Sequence, residues 1–192
     1  MEEIIKQAKE FHIPIVRPKT LELLLKTIKE ANPNTILEVG TATGYSACNM
    51  LSVCNANLTT IELNPDNQEK AKSNVERLGF SSRVEFILGD AKQVLKDLVE
   101  QNRKYDFVFL DGPKGQYINY LPDITKLLNV GGILFADDVL FYGLVKGDEF
   151  VPHRKRTIVV NLRKYLKEVG NKPFSSTLID MEDGVCISKK VE

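Results

Sequence analysis

The chain has 192 residues, enough to bury one sizeable core. Its 26 lysines and arginines balance 26 aspartates and glutamates, which excludes a global pull toward nucleic acid or an anionic membrane and leaves only local ones. The amino terminus lacks the basic-then-apolar order of a secretory signal, and no apolar run approaches the roughly 18 residues of a spanning helix. Cys48, Cys54 and Cys186 form no C-x-x-C pair, so a cytoplasmic protein with reduced core thiols and no membrane attachment is expected.

Two helical patterns come first, over residues 2–11 and 18–31, joined by Ile13-Pro14-Ile15-Val16-Arg17-Pro18, which its prolines keep extended. Strand-like apolar runs then recur at 35–39, 57–63, 84–88, 105–110, 132–136, 175–179 and 185–188. A glycine-bearing turn opens a helix after the first of them, and helical patterns follow at 64–78, 91–99, 117–128 and 157–169. Such alternation predicts a parallel sheet with right-handed crossovers. Only Asp180-Met181-Glu182-Asp183-Gly184 separates the last two runs, too little for a crossover helix, so they should form a hairpin. The expected fold is α/β: a Rossmann-like, seven-stranded, mostly parallel sheet with one antiparallel strand and helices on both faces. We expect a single domain over residues 1–192, with the helices of residues 1–31 covering part of the ligand site.

The first run leads into Glu38-Val39-Gly40-Thr41-Ala42-Thr43-Gly44-Tyr45-Ser46, and the second ends in Glu62. A glycine turn between strand and helix, with an acid about 20 residues on that can accept from ribose hydroxyls, is the front half of a nucleotide-type site. A dinucleotide loop wants G-x-G-x-x-G, but its second glycine is here Ala42. The loop therefore suits an adenosine ligand without a pyrophosphate, such as S-adenosylmethionine (SAM), and disfavours a nicotinamide oxidoreductase.

Ligands of open α/β sheets sit beyond the carboxyl ends of the strands. There the fourth run delivers Asp111 and the fifth Asp137 and Asp138. Like charges so placed raise one another's pKa, and a divalent cation resolves the conflict. Oxygen ligands with no His or Cys nearby favour Mg²⁺, with Mn²⁺ or Ca²⁺ as alternatives. Lys114 is the candidate base for a substrate hydroxyl, its pKa depressed if a metal and a sulfonium lie beside it; otherwise it is a surface or salt-bridge lysine. Asp90 holds the adenine end, caps the helix starting at Ala91, or does both.

The turn at 38–46, Asp111-Gly112-Pro113-Lys114-Gly115-Gln116-Tyr117, and Ala136-Asp137-Asp138-Val139-Leu140-Phe141-Tyr142-Gly143-Leu144-Val145 together resemble the metal-dependent SAM O-methyltransferases of the catechol and caffeoyl-CoA type. The likeness runs over about residues 11–190. Within that family it is nearest the branch that methylates 5-hydroxyuridine in bacterial tRNA, on His12–Val16, residues 140–145, the basic stretch after Pro152, and residues 183–190. The resemblance implies Val16, Glu38, Ser46, Glu62, Asp90, Ala91 and Asp111 around SAM, with Gly40 and Tyr45 at its methionine part. It makes Asp111, Asp137 and Asp138 the metal ligands and Lys114 with Asp111 the catalytic pair, and it implies a homodimer. Relatives usually carry asparagine where this chain has Asp138; an oxygen ligand survives, with one more negative charge.

From residue 152 to 172 seven lysines and arginines face the single acid Glu168. Arg154, Lys155, Arg156, Arg163 and Lys164 are the candidates to neutralise phosphates of a tRNA anticodon stem-loop; coenzyme A phosphates, or plain solvent, would suit the same charges. The expected activity is Mg²⁺-dependent methyl transfer from SAM to wobble 5-hydroxyuridine, giving 5-methoxyuridine. The alternative acceptor is a small catechol-like or caffeoyl-CoA-like phenol. A non-enzymatic RNA-binding module is opposed by the three acids, which would repel phosphate.

Overall fold

The computed structural model describes residues 1–147 and 151–192, and the chain divides into two compact units, Met1–Val94 and Leu95–Glu192. The first unit holds α1 (Glu2–Glu10), α2 (Pro18–Ala31), β1 (Thr35–Val39), α3 (Tyr45–Val53), β2 (Asn57–Glu62), α4 (Pro65–Arg77) and β3 (Val84–Leu88). Local chemistry sets the helix ends. Pro18 and Pro65 occupy first-turn positions that need no N–H. Asn64 caps α4 by accepting from the N–H groups of Asp66 and Asn67. Asn32 closes α2 in the left-handed conformation, φ 45°.

β1 is buried from Ile36 to Val39, as a parallel strand covered on both faces should be. It pairs with β2 from Thr35↔Asn57 to Val39↔Ile61, and β2 pairs with β3 from Leu58↔Val84 to Glu62↔Leu88. That register puts Glu62 at a strand end, one position beyond the last residue of β1. Ile4, Cys48 and Val75 form a buried cluster that Tyr45, Leu78, Phe80 and Phe86 cover, binding α1, α3 and α4 to β3.

The boundary between the units falls inside α5 (Ala91–Glu100); the second unit continues with β4 (Tyr105–Leu110), α6 (Tyr117–Leu127), β5 (Leu128–Ala136), α7 (Arg156–Val169), β6 (Phe174–Ile179) and β7 (Val185–Lys190). Phe135 sits between Phe107 and Phe109, with ring centroids 6.4 and 5.8 Å away. β4 and β5 run parallel and end in register at Leu110↔Ala136, so Asp111 and Asp137 leave neighbouring strand ends. β7 is antiparallel to both β5 and β6, as the short connection before it requires.

β5 starts at Leu128, four residues earlier than the apolar run indicates, because Gly131-Gly132 bends the strand without ending it. The register shifts between Tyr105 and Phe107. A Cβ on Gly132 would lie 2.9 Å from the Asn129 carbonyl and 3.0 Å from that of Asp106, so only glycine fits there. The seven strands run in the order β3-β2-β1 in the first unit and β4-β5-β7-β6 in the second. No helix among the described residues is long and apolar enough to cross a membrane.

Candidate active site

In the first unit the chain leaves β1 through a turn with Gly40, Ala42 and Gly44 at positive φ (103°, 49° and 76°). Gly44 also needs to lack a side chain, since a Cβ there would stand 3.2 Å from Ala71 Cβ and 3.3 Å from Ala71 Cα. The turn is clamped from beneath by Glu38, which is fully buried. Ser46 donates to one of its oxygens at 2.5 Å and Thr60 to the other at 2.6 Å. These two bonds satisfy a carboxyl group held out of water. Thr60 also lies 2.6 Å from the Thr41 hydroxyl, which ties the turn to β2.

Glu38 thus faces Ser46 and Thr60, while Glu62 gathers the rim. Its carboxylate accepts from the N–H groups of Ala42 at 2.8 Å, Leu63 at 2.9 Å and Asn64 at 2.8 Å. An ionised carboxylate offers about four acceptor positions, so capacity for a ligand hydroxyl remains. Asp90 caps α5 by accepting from Lys92 N–H at 2.7 Å, just before Ala91 opens that helix. Val16 is buried and Tyr45 half-buried at the start of α3. Thr41 and Thr60 are the site residues that the sequence reading passed over. The signal for them is Thr59-Thr60, polar residues inside an otherwise apolar strand.

In the second unit Asp111, Asp137 and Asp138 each present one oxygen, all within 4.8 Å of one another. Asp137 N–H donates to the Leu110 carbonyl at 3.1 Å, holding the two strand ends together. Asp138 takes the left-handed conformation, φ 56°, and its N–H donates to the Asp137 carboxylate at 2.7 Å. Lys114 Nζ completes the cluster, 2.6 Å from Asp111 and 3.1 Å from Asp138.

The electrostatics are those of an acid-rich pocket. Burial raises the Asp111 pKa, with Lys114 pulling it back. Asp137 is pushed up to about 7, by burial first and then by Asp111 and Asp138. Burial works against the charge on Lys114, but Tyr117, Asp111 and Asp138 outweigh it and hold the ammonium well above the ordinary lysine value. Lys114 is therefore a cation in this arrangement, because the acids beside it outweigh the burial that would otherwise depress its pKa. Three carboxylates less one ammonium leave two negative charges when all are ionised. An oxygen-only donor set with that charge fits a hard divalent ion.

The raised Asp137 pKa has a consequence for stability in chelator. Between the ordinary value of 3.8 and about 7, Asp137 is protonated when folded and ionised when unfolded. Stability of the wild type should therefore fall relative to Asp137→Asn as pH rises through that window, by up to roughly 1.4 kcal/mol per pH unit. Urea unfolding from pH 4 to 8 measures the difference; a gap independent of pH would contradict it.

The basic residues are spent unevenly. Arg163 donates to the carbonyls of Val145 at 3.1 Å and Leu144 at 3.3 Å, and to that of Gly147, so its guanidinium pins the loop after the acid pair. Arg156 donates to the Val151 carbonyl at 3.2 Å. Lys155 Nζ lies 4.7 Å from the ring centroid of Tyr142 and 5.7 Å from that of Phe141. Arg154 and Lys164 are exposed.

A family model described as O-methyltransferase matches residues 2–191 of the chain. The chain belongs to the O-methyltransferase family. Caffeoyl-CoA O-methyltransferase 5 of Nicotiana tabacum is 31% identical to this O-methyltransferase over 181 residues, covering 89% of the chain and 73% of the relative. A Staphylococcus aureus structure provisionally named a caffeoyl-CoA O-methyltransferase superposes with a TM-score of 0.88 at 30% identity, over 98% of this chain and 91% of the other. The SAH-bound methyltransferase PaMTH1 of Podospora anserina superposes at 0.81 with 25% identity, over 93% and 80%.

Proposed function

We propose that this O-methyltransferase moves a methyl group from SAM to a hydroxyl flanked by a second oxygen, on a catechol-like or caffeoyl-CoA-like phenol. The observation that carries the reading is the meeting of Asp111, Asp137 and Asp138 oxygens within 4.8 Å beside Lys114. Likeness to relatives named caffeoyl-CoA O-methyltransferases supports the phenol, and likeness to a SAH-bound methyltransferase supports the donor.

Asp111, Asp137 and Asp138 would hold a divalent ion, Mg²⁺ by preference with Mn²⁺ or Ca²⁺ as alternatives. Such an ion supplies Lewis acidity that lowers the pKa of a chelating hydroxyl and orients it. SAM supplies the sulfonium methyl, whose S–C bond breaks as the O–C bond forms in line, leaving SAH and the hydroxyl's proton. Glu62 is assigned to the ribose hydroxyls, Asp90 to the adenine end, Gly40 and Tyr45 to the methionine end, and Val16, Ser46, Ala91 and Asp111 to the surroundings of the cofactor. Glu38 acts by fixing the turn. Lys114, a cation beside these acids, is placed to stabilise the forming oxyanion; it would take the acceptor's proton only where a bound metal and the sulfonium depress its pKa.

A second reading keeps the chemistry and changes the acceptor to 5-hydroxyuridine in a tRNA anticodon stem-loop, whose 5-hydroxyl and 4-carbonyl offer the same pair of oxygens. It is favoured by the exposed Arg154 and Lys164 and by Tyr142, which is 64% exposed under Lys155. Labelled SAM and Mg²⁺ are to be incubated in parallel with a catechol, with caffeoyl-CoA, and with tRNA bearing 5-hydroxyuridine. Label in a phenol supports the first reading. Label confined to tRNA as 5-methoxyuridine gives the function to the second, and Arg154→Ala with Lys164→Ala should then weaken tRNA binding with a shallower salt dependence.

A further inference from the structure

Tyr117 is fully buried at the start of α6. Its hydroxyl lies 3.1 Å from the carbonyl oxygen of Leu110 and 3.1 Å from that of Asp137. Leu110 immediately precedes Asp111, and Asp137 is itself one of the three acids. The same Leu110 carbonyl accepts Asp137 N–H. One phenol therefore ties the ends of β4 and β5 at the point where their side chains depart for the carboxylate cluster. A phenol has a single proton, so the two carbonyls share it. The ring is fixed independently: it meets the edge of Tyr165 at 5.6 Å and 70°, and Lys114 Nζ lies 5.7 Å from its centroid.

We infer that Tyr117 is a positioning residue whose hydroxyl sets the spacing of the Asp111 and Asp137 carboxylates, and through it the affinity of the divalent site. The inference rests on the divalent-ion reading above. Tyr117 acts on the backbone from which two ligands spring; its hydroxyl also interacts with Lys114, so Mn²⁺ affinity rather than kcat is the readout that decides the positioning role. Removing its hydroxyl leaves the ring in its packing, so the fold should survive while the tie is lost.

The test is Mn²⁺ binding followed by electron paramagnetic resonance on wild type, Tyr117→Phe and Tyr165→Phe. Tyr165 is an equally buried tyrosine whose hydroxyl has no hydrogen-bond partner among the described residues, so it reports what loss of a core hydroxyl does by itself. Tyr117→Phe should weaken Mn²⁺ binding about tenfold and lower kcat with the KM for SAM unchanged, its circular dichroism remaining that of wild type. Tyr165→Phe should bind Mn²⁺ as wild type does. Wild-type affinity in Tyr117→Phe, or an equal loss in both variants, would overturn the positioning role and leave the divalent site standing. A wild-type protein that binds no Mn²⁺ would overturn the divalent reading and this inference together.

Discussion

Asp111→Ala should abolish measurable divalent-ion binding and lower kcat/KM by about 10³-fold or more. Asp111 supplies one of the three oxygens that converge within 4.8 Å and is the nearer anchor of Lys114, at 2.6 Å. Its loss removes a ligand and releases the ammonium placed to stabilise the forming oxyanion. A thousandfold change corresponds to about 4 kcal/mol of transition-state stabilisation, within what Lewis acidity at a positioned oxygen supplies. Asp138→Asn keeps a ligand oxygen and drops one charge, so it should bind the ion more weakly but still function. Calorimetric Mg²⁺ titration alongside steady-state kinetics checks both variants. Methyl transfer undiminished in Asp111→Ala would show that the acids are not the centre of the chemistry.

Glu38→Ala should cost about 3 kcal/mol of stability. The substitution strands the buried hydroxyl of Ser46 and leaves that of Thr60 with Thr41 alone, and an unsatisfied buried group costs about 1–3 kcal/mol. It also opens a cavity under the turn. Relief of the buried charge offsets part of this. Glu38→Gln should cost only about 1 kcal/mol, because the amide accepts from one hydroxyl and donates to the other if the Thr41–Thr60 bond reverses. SAM affinity should fall in both variants, since the turn they loosen holds Glu62 in place through Ala42 N–H. Urea unfolding reads the ladder; Glu38→Ala as stable as wild type would mean that the clamp contributes nothing.

Much of the skeleton of this account is legible in the residues. Strand–turn–strand spacing puts Glu62 at the end of β2, and the β4–β5 register ending at Leu110↔Ala136 brings Asp111 beside Asp137, as the apolar runs predict. What the sequence hides is which partners a side chain finds. Glu38 reads as a cofactor ligand, yet its two oxygens are taken by Ser46 and Thr60, which only the folded turn brings near. Arg163 counts as a free positive charge in any tally, whereas its guanidinium reaches from α7 to the carbonyls of the loop after the acid pair. The fifth strand reads as starting only at Gly132, because nothing local reveals that Leu128 already pairs with Tyr105. Tyr117 sits inside a recognised motif, but its role depends on two carbonyls 7 and 20 residues away.

The most direct test is transfer of labelled methyl from SAM to a catechol, a caffeoyl-CoA or a 5-hydroxyuridine tRNA acceptor, with Mg²⁺, with EDTA, and with Mg²⁺ restored after EDTA. The account predicts transfer to an acceptor with paired oxygens in Mg²⁺, its loss in EDTA, and its return when the ion is restored. Transfer at the same rate in EDTA would contradict it.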